Sequence, residues 1–87
     1  MSSLHSSQSA LARVSRNLDG FICPVELRAY VNALAVTFAE VPSAYIAYGK
    51  EKANAMEARL AGNIGLAMAC EASADRRYSR LPPSWIW

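Results

Sequence analysis

Residues 58–69 read Ala58-Arg59-Leu60-Ala61-Gly62-Asn63-Ile64-Gly65-Leu66-Ala67-Met68-Ala69, and whether one helix passes through them decides the fold. Each glycine inside a helix costs about 1 kcal/mol, so the pair Gly62 and Gly65 can mark a break. Against a break stands register. Ala55, Ala58, Gly62, Gly65, Ala69 and Ala72 recur at spacings of three and four, so both glycines fall on one face made only of small residues. Close approach of a second helix calls for such a face, and this register favours a continuous helix over a break at Gly62.

Outward from this stretch there is no proline between Ala44 and Arg80, and good helix formers dominate. A second, apolar face runs Ile46, Gly49, Ala53, Met56, Leu60, Ile64, Ala67, Ala74, Tyr78 and Leu81. Pro42-Ser43 opens this helix and Pro82-Pro83 closes it. Upstream, Leu27, Val31, Leu34, Phe38 and Val41 form a heptad-type seam that predicts a helix over 24–41, with Pro24 as its first residue. A shorter helix from an N-cap at Ser9 to about Leu18 carries Leu11, Val14 and Leu18, and Gly20 stands ready as its left-handed cap. Residues 1–8 read as a Ser-rich arm and 82–87 as an extended aromatic tail.

The expected fold is therefore all-α, a single domain in which a short N-terminal helix joins a helical hairpin with one long C-terminal helix. Sixteen alanines against four glycines and four prolines agree with it. A continuous helix over 43–80 would be about 57 Å long, against about 27 and 15 Å for the other two. Some 15 Å of it would stay uncovered in a monomer. Self-association, most simply a dimer, is expected through Ala55, Ala58, Gly62, Gly65, Ala69 and Ala72.

Catalysis finds little support. His5 is the sole histidine and sits in the Ser-rich arm, so no zinc site of the usual ligand count can be assembled. Cys23 lacks a nearby base, and the pairs Glu51/Glu57 and Glu40/Glu71 read as solvated helix carboxylates. No Gly-rich phosphate loop is present. Neither a metal nor a cofactor is expected, and no enzyme activity. The longest apolar runs without charge, 29–39 and 60–70, are too short to span a membrane, and the N-terminus lacks the pattern of a secretory signal. Two cysteines without CxxC spacing make no disulfide framework, so a cytoplasmic protein is expected.

Binding is the better prospect. Trp85 and Trp87 close the segment Pro82-Pro83-Ser84-Trp85-Ile86-Trp87, and each carries about 150–250 Å² of buriable surface. Either they fold back as an anchor or they dock into another protein, and this tail is the first functional candidate. Tyr45, Tyr48 and Lys52 share one helix face, where tyrosines either cap the core or offer a recognition patch. Arg76, Arg77 and Arg80, together with Arg13 and Arg16, would form a patch for phosphates or carboxylates if the two groups meet. The net charge of +2 is too small to announce a nucleic-acid binder, and the helix over 24–41 offers only Arg28, Asn32 and Thr37 to base edges.

An Ala- and Arg-rich chain of 87 residues, with a helical hairpin, no catalytic apparatus and an aromatic tail after Arg76-Arg77-Tyr78-Ser79-Arg80-Leu81-Pro82-Pro83, resembles the small accessory proteins of temperate phages and prophages. Anti-CRISPR inhibitors are among them. The resemblance implies a non-enzymatic protein that binds and blocks a host protein, and it transfers no site residues. The expected partner-binding residues remain Trp85, Trp87, Tyr45, Tyr48, Arg76, Arg77 and Arg80. A small nucleic-acid-binding or transcription-regulating protein is the alternative, and a purely structural assembly subunit a third.

Overall fold

The computed structural model describes residues 18–87, so the expected helix over 9–18, His5, Arg13 and Arg16 lie outside the described residues except for Leu18. Three helices follow a 3-10 turn at Leu18–Gly20: α1 (Pro24–Thr37), α2 (Ser43–Leu60) and α3 (Ile64–Tyr78), with a second 3-10 turn at Pro83–Trp85. The fold is all-α, and no strand occurs among the described residues.

The long helix is broken at Gly62, which corrects the expectation of a continuous one. Gly62 has φ +79°, the left-handed conformation that an L side chain resists. Its N–H bonds the Arg59 carbonyl at 3.0 Å, and the Asn63 N–H bonds the Ala58 carbonyl at 2.8 Å. These are the two bonds of a Schellman motif, which closes α2. Asn63 then opens α3, because its side-chain oxygen accepts from the Leu66 N–H at 3.2 Å. Gly62-Asn63 is thus a stop followed at once by a start. Gly62→Ala should therefore destabilise by about 1 kcal/mol, whereas Gly65→Ala, whose added Cβ meets open space, should be neutral or slightly stabilising. Urea unfolding of both variants checks the pair.

Further expectations shift. Gly20 does not take a positive φ, because it lies within the 3-10 turn that bonds the Phe21 N–H to the Leu18 carbonyl. α1 stops at Thr37, four residues before the end of its seam. Phe38 turns extended while its N–H still reaches the Leu34 carbonyl at 2.9 Å. Val36 and Thr37 are β-branched, Glu40 would oppose the helix dipole, and Pro42 disfavours a helical Val41. Phe38 and Val41 nevertheless pack against the core.

α2 is the central element, with α1 and α3 both antiparallel to it. Against α1, Arg28 reaches Asn54 and Glu57 at one end, and Val31 meets Gly49 toward the other. Against α3, Arg59 bonds Glu71 while Tyr48 meets Tyr78. Leu18, Leu27, Val31, Leu34, Tyr45, Tyr48 and Ala53 form the core, joined from the C-terminal side by Ala74 and Leu81. Gly49 lets α1 come close, since a Cβ there would overlap Val31 Cγ1.

The small-residue face does not survive as one seam. Ala55 and Ala58 are buried on α2, Gly62 is in the turn, and Gly65, Ala69 and Ala72 lie exposed on α3. The same break leaves Leu60 and Ile64, expected on the apolar core face, facing outward.

Candidate binding surface

The aromatic tail is folded back onto the helices. Trp85 meets Tyr45 edge-on at 5.1 Å between ring centroids. Trp87 sits among three tyrosines, with centroids 6.0 Å from Tyr45, 5.1 Å from Tyr48 and 4.9 Å from Tyr78, all at steep interplanar angles. Edge-to-face pairs of this kind add about 0.5–1.5 kcal/mol each beyond area burial. Polar contacts lock the arrangement. The Trp87 indole N–H donates to Asp19 at 2.9 Å, the Tyr48 hydroxyl donates to the other Asp19 oxygen at 2.6 Å, and Lys52 lies 3.2 Å from the same carboxylate. The Tyr78 hydroxyl donates to the Trp87 main-chain carbonyl at 2.6 Å.

In this clasp Tyr45 and Tyr48 cap the core. Tyr45 is fully buried and Tyr48 nearly so, because the returning tail covers the α2 face that a partner would need. Trp85 and Trp87 are half-buried and already hold ring partners. Tail and tyrosines therefore act as one structural unit.

Burial alone would raise the Asp19 carboxyl, but the bonds from Tyr48, Trp87 and Lys52 outweigh it and hold the group below its ordinary value of 3.8. A carboxyl lowered by folding contributes stability that is present above its unfolded value and lost as pH falls through the folded one. Tryptophan fluorescence should therefore stay constant from neutral pH down to about pH 4 and change only below it. The Tyr48 hydroxyl is pushed well above its ordinary value, first by burial and then by the Asp19 carboxylate that it bonds. Burial likewise raises Tyr45, whose hydroxyl is enclosed beside that of Tyr30 without a well-formed bond. The two tyrosines should respond oppositely. Tyr48→Phe loses a charge-assisted bond and about 1.5 kcal/mol, whereas Tyr45→Phe is neutral or stabilising by up to about 1 kcal/mol. Thermal melts of the two variants check the contrast.

Apart from Ile86 in the tail, the large apolar side chains open to solvent fall in two groups: Ile22, Val25 and Val36 on α1 and just before it, and a denser group on α3 and the turn that leads into it. Ala67 and Ala74 face α2, and the opposite side of α3 carries Gly65, Ala69 and Ala72 flanked by larger apolar side chains. Leu60 is 78%, Ile64 48%, Leu66 52% and Met68 60% exposed. Sequence reasoning missed this group, although a signal existed: Leu66 and Met68 belong to neither of the two faces traced along the chain. Beyond them, Arg76 and Arg77 in the last turn of α3 and Arg80 just past its end gather with Ser73 around a cleft of about 160 Å³. All three arginines are exposed.

Two apolar clefts complete the described surface. One of about 320 Å³ lies at the α2–α3 turn and includes Asn54, Asn63, Leu66 and Cys70, and one of about 400 Å³ lies between α1 and α2 and includes Phe38, Ile46 and Lys50. Cys23 and Cys70 are both free and half-buried. Among the described residues, no three His, Cys, Asp or Glu side chains come together as a metal site. No described helix is long and apolar enough to cross a membrane. No protein-family description, curated protein or solved structure matches this chain.

Proposed function

We propose that this chain is a non-enzymatic protein-binding module whose contact surface is the outer side of α3 and the turn that leads into it. The carrying observation is the exposure of Leu60, Ile64, Leu66 and Met68 within nine residues of chain. Single exposed apolar side chains are ordinary, but a contiguous group of them marks interaction sites. Gly65, Ala69 and Ala72 lie between them and permit close approach by a partner helix. Methionine at such surfaces adapts its shape to a partner. An inhibitor or adaptor that occludes a host protein fits this arrangement, and so does a second copy of the chain. The nucleic-acid reading keeps one favourable observation, the arginine cleft, but apolar side chains adjoin it on the same helix.

The test is affinity capture from bacterial lysate with nuclease present, comparing the unaltered chain with a Leu66→Glu, Met68→Glu variant. Both side chains are exposed, so the variant should melt within about 1 kcal/mol of the parent. A stoichiometric protein retained by the parent and lost by the variant supports the reading. Recovery that vanishes with nuclease, or that ignores both substitutions, contradicts it. Sedimentation at two concentrations identifies a self-associated form by the same loss.

A further inference from the structure

Among the described residues, the positive side chains other than Lys50 divide into two groups. Arg28 is paired with Glu57, Lys52 with Asp19 and Arg59 with Glu71. Arg76, Arg77 and Arg80 make no side-chain hydrogen bond or ion pair with any described residue, yet they converge on one cleft with Ser73. Cations near the end of a helix complement its dipole, which accounts for their sign. The spacing 73, 76, 77 and 80 places all four residues on one face, and no acidic side chain joins them around the cleft. Nor do they cap the helix by bonding, since the Asp75 carbonyl is taken by the Ser79 hydroxyl at 2.9 Å. The nearest acid in sequence, Asp75, is rotated about 100° from Arg76 around the helix and does not line the cleft.

We infer that Ser73, Arg76, Arg77 and Arg80 form a carboxylate-binding cleft that receives an acidic stretch of a partner protein. The inference rests on the protein-binding reading of α3 and specifies the partner's chemistry. Guanidinium groups present paired N–H donors that match a carboxylate, and Ser73 adds a hydroxyl donor. The choice of carboxylate over nucleic-acid phosphate follows from the surroundings. Leu66, seven residues before Ser73, lies on the same stripe of α3, so the basic cleft continues into apolar surface. A phosphate backbone gains from an extended basic track, and an acidic-apolar protein segment gains from this juxtaposition.

The experiment titrates the full isotope-labelled chain with acetylated, amidated hexaglutamate, with its hexaglutamine counterpart and with a twelve-nucleotide thymidine strand, all at low salt. Signals read are the side-chain N–H resonances of Arg76, Arg77, Arg80, Arg28 and Arg59. Hexaglutamate should shift the first three saturably and bind about tenfold more tightly than hexaglutamine, as a few weak charge pairs allow. Arg77→Gln with Arg80→Gln should erase that preference, while Arg59→Gln should retain it. Equal binding of the two peptides, shifts spread equally over Arg28 and Arg59, or tighter binding of the oligonucleotide would each overturn the proposal. Capture that depends on Leu66 and Met68 while the cleft ignores hexaglutamate removes this inference alone. Loss of that capture dependence removes the parent reading instead.

Discussion

Trp87→Ala should destabilise the protein by about 3 kcal/mol in urea unfolding, a large share of what a chain of this size possesses. The side chain is only half-buried, which tempers the figure below that of a fully enclosed tryptophan. Its contacts raise it again. Three tyrosine rings, Tyr45, Tyr48 and Tyr78, lie edge-on or steeply tilted around it, and its indole N–H bonds Asp19. Removing the ring also leaves one Asp19 oxygen without that donor and uncovers Tyr45, which is otherwise fully enclosed. Trp85→Ala should cost less, because Trp85 has one ring contact, with Tyr45, and its indole makes no polar bond with a described residue. A tail that served only a partner would behave differently, and Trp87→Ala would then leave the unfolding midpoint unchanged.

Gly49→Ala should destabilise by about 2 kcal/mol, the net of overpacking in the core and the helix propensity gained. The new methyl would overlap Val31 Cγ1 and lie 3.3 Å from Leu18 Cδ1. Both neighbours are fully buried, and the valine cannot rotate away, because a β-branched side chain in a helix has one strongly preferred rotamer. The separation of α1 from α2 must therefore grow. Val31→Ala in the Gly49→Ala background should recover part of the loss, so that the double variant is more stable than the sum of the two single effects. Strict additivity in that cycle would show that the two residues do not touch.

Much of the fold was legible because local chemistry and pattern agreed. Pro24 starts α1 as a first-turn proline should, Leu27, Val31 and Leu34 bury as the seam requires, and Pro42-Ser43 opens α2. At Gly62 two signals compete on the same residues. Register with the alanines argued for continuity, while a glycine followed by an N-capping asparagine argued for a stop and a start. The capping chemistry won, since the left-handed glycine satisfies the end of α2 and Asn63 satisfies the beginning of α3. The break also reshapes the site. Once α3 folds back, Ala55 and Ala58 are spent inside the hairpin, and Leu60 and Ile64 are turned out to solvent. The tail was ambiguous for a different reason. Periodicity says nothing about an extended segment, and only tertiary structure brings Asp19, sixty-eight residues away, to the Trp87 indole.

Under the proposed function, a partner is met by the outer side of α3 and not by the aromatic tail. Met68 and Ile86 are exposed to similar degrees, 60% and 51%, one on each of these surfaces. A photoreactive phenylalanine analogue placed at one position or the other, irradiated in bacterial lysate with and without excess unlabelled protein, compares them directly. A discrete, competable protein adduct is expected from position 68 and none from position 86. An adduct from position 86 with none from position 68 would contradict the proposed function.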